Sequence, residues 1–120
     1  MSWDIYIQDF PEVASISEVP QDYRPKPIGD RTALIEKVRE AIPFIDQVDG
    51  DWLFAKGDDI DISFQLHMED ADRVRYIVAH VHGGEQSAAC IGALLRQLGL
   101  RAHDTATGEL FDGFSLDEGL

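Results

Sequence analysis

The chain has 120 residues and a formal charge of −13, because it contains ten Lys and Arg residues and 23 Asp and Glu residues. This length predicts one domain, and a hydrophobic content of 44% is enough for a buried core. The acidity argues against nucleic acid and anionic membranes as partners, since both need a basic surface, and no apolar run approaches the roughly 20 residues of a membrane span.

The cysteine content and the first residues predict a compartment. The single cysteine, Cys90, excludes a disulfide within the chain. Asp4, Gln8 and Asp9 interrupt the first ten residues, which is not the pattern of a secretory signal. We therefore expect a cytoplasmic protein, since thiols stay reduced there.

The N-terminal quarter contains one strand signal and one irregular segment. Residues 3–9 (WDIYIQD) alternate apolar and polar side chains with period two, which predicts a half-buried strand. Residues 11–29, called the Pro-rich segment below, contain four prolines, each of which removes a backbone donor. We expect an ordered loop there, and the sequence leaves open whether it covers the sheet.

The first helix is predicted from its cap and its apolar stripe. Asp30 is a good N-cap residue, and Pro43 ends the helix. An acidic turn, Asp46–Asp51, is expected to follow. The apolar stripe consists of Leu34, Ile35, Val38, Ala41 and Ile42.

Three strand-like runs come next, at residues 52–56, 59–68 and 73–82. The links between them, Gly57-Asp58 and Glu69–Asp72, are short enough for antiparallel hairpins.

A second helix and a short hairpin complete the predicted elements. The helix follows Gly83-Gly84 and runs to about Leu98, with Gly99 as its C-terminal glycine. Residues 100–111 predict a hairpin, and residues 113–120 a tail that frays. The order β-α-β-β-β-α-β predicts a single α+β domain, with a mainly antiparallel sheet and two helices packed on one face.

Hairpin register sorts the side chains onto two faces. If Met68 pairs with Arg73, Ile62 and Phe64 lie on the side that the helices cover, and Asp61 lies opposite His80 on the other. Because side chains alternate strictly, a slip of one residue would exchange the faces, whereas a slip of two would keep them.

The second side of the sheet is the candidate functional region. Two aromatic residues at its centre indicate either that the Pro-rich segment or a second subunit covers it, or that it binds a ligand or partner. Asp59 and Ser63 are also predicted to lie on this face. The candidate ligand or partner surface consists of Trp52, Phe54, Asp61, Gln65, Tyr76, His80 and His82.

The same face contains a weak metal-binding pattern. His80 and His82 are spaced i, i+2 and project from one side of a strand, and Asp61 would add a carboxylate. The simpler interpretation is cross-strand pairing of histidine with aspartate, without a metal. His67, predicted beside Val74, would lie too far away to join them. No cofactor is predicted.

No other pattern identifies a reaction. The HVHGGEQ corner, residues 80–86, resembles an anion cradle, but a tight glycine turn accounts for it better because Glu85 would repel an anion. Cys90 is predicted to lie inside the second helix as a packing residue. No catalytic residue is assigned, because the common hydrolase and metalloprotease motifs are missing from the sequence.

Four segments together carry a family resemblance. They are the opening MSWDI, RPKPIGDR at residues 24–31, HVHGG at 80–84 and RAHDTATGELFD at 101–112. The chain resembles a family of small acidic bacterial proteins to which we can attach no activity. The resemblance implies a bacterial, cytoplasmic, single-domain protein, and it supplies no catalytic residue or ligand.

These observations favour a non-enzymatic binding or interaction protein whose acidic surface suits a basic protein partner. Inhibitors of basic bacterial toxins, such as nuclease immunity proteins, are one class of this kind by analogy of size and charge. The alternative is a small metal- or ligand-binding enzyme that uses His80, His82 and Asp61. A third interpretation is self-association as a dimer through the aromatic face.

Overall fold

The structure, a computed structural model, describes residues 3–113, apart from the side chains of Val48 and Asp49. Within this range an eight-stranded antiparallel sheet packs against two helices, which confirms the predicted α+β class. The helices are α1 (Arg31–Ala41) and α2 (Ser87–Leu98). The strands are β1 (Trp3–Gln8), β2 (Gly29–Asp30), β3 (Asp46–Asp49), β4 (Trp52–Gly57), β5 (Ile60–Met68), β6 (Arg73–Gly83), β7 (Arg101–Asp104) and β8 (Leu110–Phe111).

Four consecutive strands of the sheet form a meander, and β1, which is distant from them in sequence, pairs with the last of the four. Strands β3 to β6 follow one another across the sheet, and β1 then lies between β6 and β7, with β8 at the far edge. The two-residue strand β2 pairs with β6 at Val74, beyond the part of β6 that pairs with β1. The N-terminal strand therefore occupies an interior position of the sheet.

One face of this sheet forms the core with both helices. Strict alternation turns one set of strand residues toward the helices, and burial of each large apolar side chain contributes roughly 1.5–3 kcal/mol. We call this the inner face and the opposite side the outer face. The core includes Ile5, Ile7, Leu53, Ile62, Phe64 and Ile77 from the sheet, Leu34, Ile35 and Val38 from α1, and Ile91, Leu94 and Leu95 from α2.

The helix boundaries confirm the capping predictions. The Asp30 side chain accepts a hydrogen bond from the Ala33 amide at 3.3 Å, which satisfies a free donor of the first turn. Gly99 follows α2 in the left-handed conformation, with φ 66°.

The strand-to-helix corner depends on a second glycine. Gly84 has φ +93°, and a Cβ atom there would collide with the backbone carbonyl of Asp59. The same carbonyl accepts a hydrogen bond from the Gln86 amide at 2.9 Å. The β4–β5 turn therefore packs against the corner, and only glycine allows this approach.

Two short strands were not predicted. Residues 46–51 are predicted as an acidic turn, whereas Asp46–Asp49 pairs with β4 and only the next residues turn. Aspartate is unfavourable in strands, so pairing with β4 overrides local preference here. The other is β2, at the end of the Pro-rich segment.

The Pro-rich segment lies along the β7–β8 edge. The Tyr23 hydroxyl donates to Asp9 at 2.8 Å, and the Arg101 guanidinium donates to the Val13 carbonyl at 2.8 Å. Ser15 forms a bridge with the β7–β8 hairpin. Apart from this bridge, a short 3-10 turn and Gly29 of β2, the segment is irregular, as predicted.

Two other predictions concern the ends of the chain and membranes. Gly113 is buried and its carbonyl accepts from the Arg96 guanidinium at 3.1 Å, while the rest of the predicted tail lies outside the described residues. Neither helix within residues 3–113 has the length and apolar character needed to cross a membrane.

Candidate binding surface on the outer sheet face

The candidate residues lie on the predicted face but in a different register. Ser63 rather than Asp61 pairs with His80, so the predicted register is wrong by two residues there, and Asp61 pairs with Gly83, three residues beyond its predicted partner. Part of the shift arises in β6, where Arg75 is an extra, bulged residue. A shift of two residues preserves the faces, so Ser63, Gln65 and His80 lie on the predicted side.

The β4–β5 hairpin shows the same displacement. Its turn consists of Asp58 and Asp59, and Gly57 pairs with Ile60, whereas Lys56 was predicted to pair with Asp59. Asp59 has φ 60° in this turn and does not contribute to the outer face. Aspartate tolerates this left-handed conformation better than most residues, which allows so tight a turn.

One group of stacked rings lies at the β4 side of the outer face. The Trp52 ring centroid is 6.1 Å from that of Phe54 and 6.2 Å from that of His80. The interplanar angles are 20° and 24°, so the three rings lie nearly parallel. The Lys56 ammonium lies 5.9 Å from the Phe54 centroid, close enough for a cation–π contact.

A second group of rings lies toward β1 and β7. His67 stacks on Tyr76 with centroids 4.5 Å apart, and Tyr76 stacks on Tyr6 at 5.7 Å. His103 contacts Tyr6 edge-on at 6.2 Å and Phe10 at 6.4 Å. His67 was predicted beside Val74 but pairs with Tyr76, because the bulge moves the register.

Smaller side chains form a floor between these two groups. Val78 and Ser63 belong to the outer face, yet they are only 5% and 7% exposed because larger side chains surround them. Gln65 pairs with both Trp52 and Val78 and is half-buried. Tyr6 remains 37% exposed, so the rings at the rim are accessible to a partner.

His80 and His82 each have a hydrogen-bonding partner on a neighbouring strand. His80 Nδ1 is 2.9 Å from Asp4 Oδ1, and these two residues are cross-strand partners in the β1–β6 pair. His82 Nε2 is 3.2 Å from Ser63 Oγ. The carboxylate beside His80 is therefore Asp4, which the sequence prediction missed.

Asp61 lies at the β4–β5 turn end of the face. Its backbone amide donates to the Ser87 hydroxyl at 3.2 Å, and that hydroxyl donates to the Gly83 carbonyl at 2.6 Å. Asp61 Oδ1 is buried and receives no hydrogen bond from any residue in the described range. Its cross-strand neighbour, Lys56, lies over Phe54 instead.

The predicted metal ligands do not converge. Within residues 3–113, no three His, Cys, Asp or Glu side chains come together in a way that could hold a metal ion. His80 and His82 hydrogen-bond to Asp4 and Ser63, and Asp61 is displaced from His80 along the strand. Cross-strand pairing of histidine with aspartate is thus realised, although with Asp4.

Acidic side chains border the rings. Asp46 pairs with Phe54, so it lies on the outer face of the edge strand, where it is exposed. Asp51 lies close to His67 and forms an ion pair with Arg31 at 3.5 Å. Burial lowers the pKa of His67 from its ordinary value, and the Asp51 carboxylate partly opposes this shift.

The cavities lie away from the two groups of stacked rings. Three shallow cavities, of about 230, 440 and 270 Å³, all have Arg101 in their walls and border either the Pro-rich segment or the end of α2. The Arg101 guanidinium donates to the carbonyls of Pro11 and Val13, so it is already engaged in holding that segment. We assign no ligand to these cavities.

Cys90 lies in α2 and is half-buried. Burial raises the pKa of its thiol, which is the opposite of what a nucleophile needs.

Comparisons of the chain with protein-family models, with curated proteins and with solved structures find no significant match. The resemblance to a family of small acidic bacterial proteins therefore stays a prediction.

Proposed function

We propose that this chain is a non-enzymatic binding protein whose outer sheet face holds a basic protein partner. The observation that carries this proposal is the pair of stacked-ring groups, Phe54–Trp52–His80 and His67–Tyr76–Tyr6, on a face opposite both helices. A contiguous group of accessible aromatic rings on a protein surface usually marks a site that binds another molecule.

The shape of the surface favours a macromolecule over a small substrate. Small-molecule sites are concave cavities, whereas the rings here stand on a broad sheet around a shallow floor. Aromatic side chains are enriched in the buried centres of protein interfaces, where they supply large contact areas. Trp52, Tyr6 and Tyr76 are the residues that we expect to contribute most.

The charge favours a basic partner over a second copy of the chain. Asp4, Asp46 and Asp61 lie among or beside the rings, and the whole chain has a charge of −13. Two copies would bring equal negative charges together, whereas a basic protein would be attracted before contact. Arginine and lysine side chains also bind well to aromatic faces.

The Asp61 carboxylate gives a further reason to expect a basic partner. A buried acceptor without a hydrogen bond costs about 1–3 kcal/mol, and the Asp61 carboxylate has one oxygen in this state. A guanidinium from a partner would provide the missing donor if it displaced the edge of the β4–β5 turn. Inhibition of a basic nuclease toxin is one role that would use these features, by analogy of size and charge.

Site-specific photo-crosslinking tests the proposal in the host cell. A photoreactive amino acid replaces Tyr76 on the outer face or, as a matched control, Lys37 on the exposed side of α1. We expect the Tyr76 position to crosslink to a protein of high isoelectric point, and the Lys37 position to give no such product. Crosslinking only to a second copy of the chain would instead establish the dimer interpretation.

Titration with a defined probe tests the charge argument. A short histidine-free peptide rich in arginine is added to wild type, to an Asp46→Asn/Asp61→Asn variant and to a Glu36→Gln/Glu40→Gln variant. Both variants lose two negative charges, but the second loses them from the exposed side of α1. We expect at least fivefold weaker binding for the first and less than twofold for the second. Equal losses would indicate attraction without a specific surface and would contradict the proposal.

A further inference from the structure

All four histidines of the chain lie on the outer sheet face. The sequence contains four histidines in total, at positions 67, 80, 82 and 103. Three of them contact aromatic rings of this face, and His82 contacts Ser63 in its floor. The inner face, both helices and every loop are without histidine.

Ring packing alone does not explain this choice of residue. A phenylalanine or tyrosine at position 67, 80 or 103 could stack equally well on Tyr76, Trp52 or Tyr6. An imidazole differs from those rings because it gains a positive charge between about pH 5 and 8. Concentrating every such group on one surface makes the charge of that surface depend on pH.

The charged groups that face the histidines determine the direction of the effect. Beside the rings, the described strand side chains include three carboxylates and two cations, and protonation of all four imidazoles would add four positive charges to them. Asp58, Asp59 and Glu85 lie beyond His82, and the Asp51–Arg31, Glu69–Arg75 and Asp70–Arg73 ion pairs lie at the opposite end. The strand groups are Asp46 of β3, Lys56 of β4, Asp61 of β5, Asp4 of β1 and Arg101 of β7.

We infer that the outer face is a pH-responsive binding surface, which holds a basic partner near neutral pH and releases it as the four histidines become protonated. This inference rests on the proposed function, because it concerns the same surface and the same class of partner. Carboxylates keep their charge down to about pH 5, so the histidines are the side chains that change in this range.

The test measures affinity for the histidine-free arginine-rich peptide at pH 7.5 and pH 5.5, at constant ionic strength. We expect the Kd for wild type to rise at least tenfold at the lower pH. A variant with all four histidines changed to glutamine should show less than a twofold change, and Glu36→Gln/Glu40→Gln should keep the wild-type response. A wild-type Kd that does not change with pH would overturn the inference.

Reciprocal linkage provides a test that needs no variant. If protonation weakens binding, then binding must lower the pKa of the histidines by the corresponding amount. Titration of the imidazole Cε1–H resonances, with and without the peptide, measures this shift directly. Unshifted resonances in a complex that forms at pH 7.5 would refute the pH response and leave the proposed function standing. Failure to bind at either pH would refute both.

Discussion

The two faces of the sheet are made from the same strands but differ in what they contribute. In β5, Ile62, Phe64 and Leu66 point inward and are at most 2% exposed, whereas the alternate residues, which include Gln65 and His67, point outward. The inner face is apolar and closed by two helices. The outer face contains rings, carboxylates and all four histidines, and within residues 3–113 neither helix lies over it. The buried core and the proposed binding surface therefore lie on opposite sides of one sheet.

The largest expected effect contrasts neighbouring residues of β5. Phe64→Ala removes a fully buried ring and should lower the free energy of unfolding by about 3–5 kcal/mol. Gln65→Ala, one residue later on the outer face, should cost less than about 1 kcal/mol. Urea denaturation of both variants measures the difference. Similar losses would mean that the outer face stabilises the fold as much as the core does.

The second prediction concerns the corner that joins the sheet to the helix layer. Gly84→Ala should cost about 2–3 kcal/mol, because alanine is strained at φ +93° and its Cβ would displace the Asp59 carbonyl. Gly83→Ala is the matched control, since a Cβ there meets no atom within 4 Å. Thermal unfolding should separate the two variants clearly, and equal melting temperatures would contradict the close packing of turn and corner.

A smaller effect measures how far the outer rings stabilise the fold. The Tyr6–Tyr76 stack should give a coupling free energy of about 0.5–1 kcal/mol in a double-mutant cycle with alanine. Tyr76→Ala combined with Phe44→Ala, an exposed residue near the β3 edge, should be additive within about 0.3–0.5 kcal/mol. Coupling above that expected range would show that the outer rings form a second core.

The smallest effect distinguishes one histidine from the others. Burial lowers the pKa of His67 in the folded state, so the unfolded chain binds its proton more readily. This contribution to stability is complete above the unfolded pKa of about 6.5 and is lost as the pH falls toward the folded value. His67→Gln should therefore reduce the loss of stability between pH 7.5 and 5, measured by urea midpoints. An unchanged pH profile would mean that the ring is fully hydrated.

Much of the fold could be predicted from local signals. The period-two alternation of residues 3–9, the Asp30 cap, the Pro43 stop and Gly99 are all encoded within a few residues of the element that they define. Alternation also assigned strand residues such as Phe64 and Gln65 to the correct faces, because this property survives a register shift of two, whereas Asp59 lies in the turn and was assigned wrongly. These predictions depend on periodicity and backbone chemistry alone.

The details of the surface depend on long-range pairing. The placement of β1 beside β6 brings Asp4 to His80 and Tyr6 to Tyr76, and no local pattern indicates which strand will be the neighbour. The bulge at Arg75 changes the register of the β5–β6 hairpin without any glycine to mark it. The seven predicted residues lie on the outer face, but the prediction did not include Asp4, Tyr6 and His103, which lie there too.

The interior position of β1 also affects when this surface can form. Strands β3 to β6 can pair as soon as they leave the ribosome, since each lies next to its neighbour in sequence. β1 leaves before these strands, yet both of its partners are made later, β7 only near residue 104. Asp4 and Tyr6 reach the outer face only when β1 is inserted. The proposed binding surface would thus be assembled only after β7 has been synthesised.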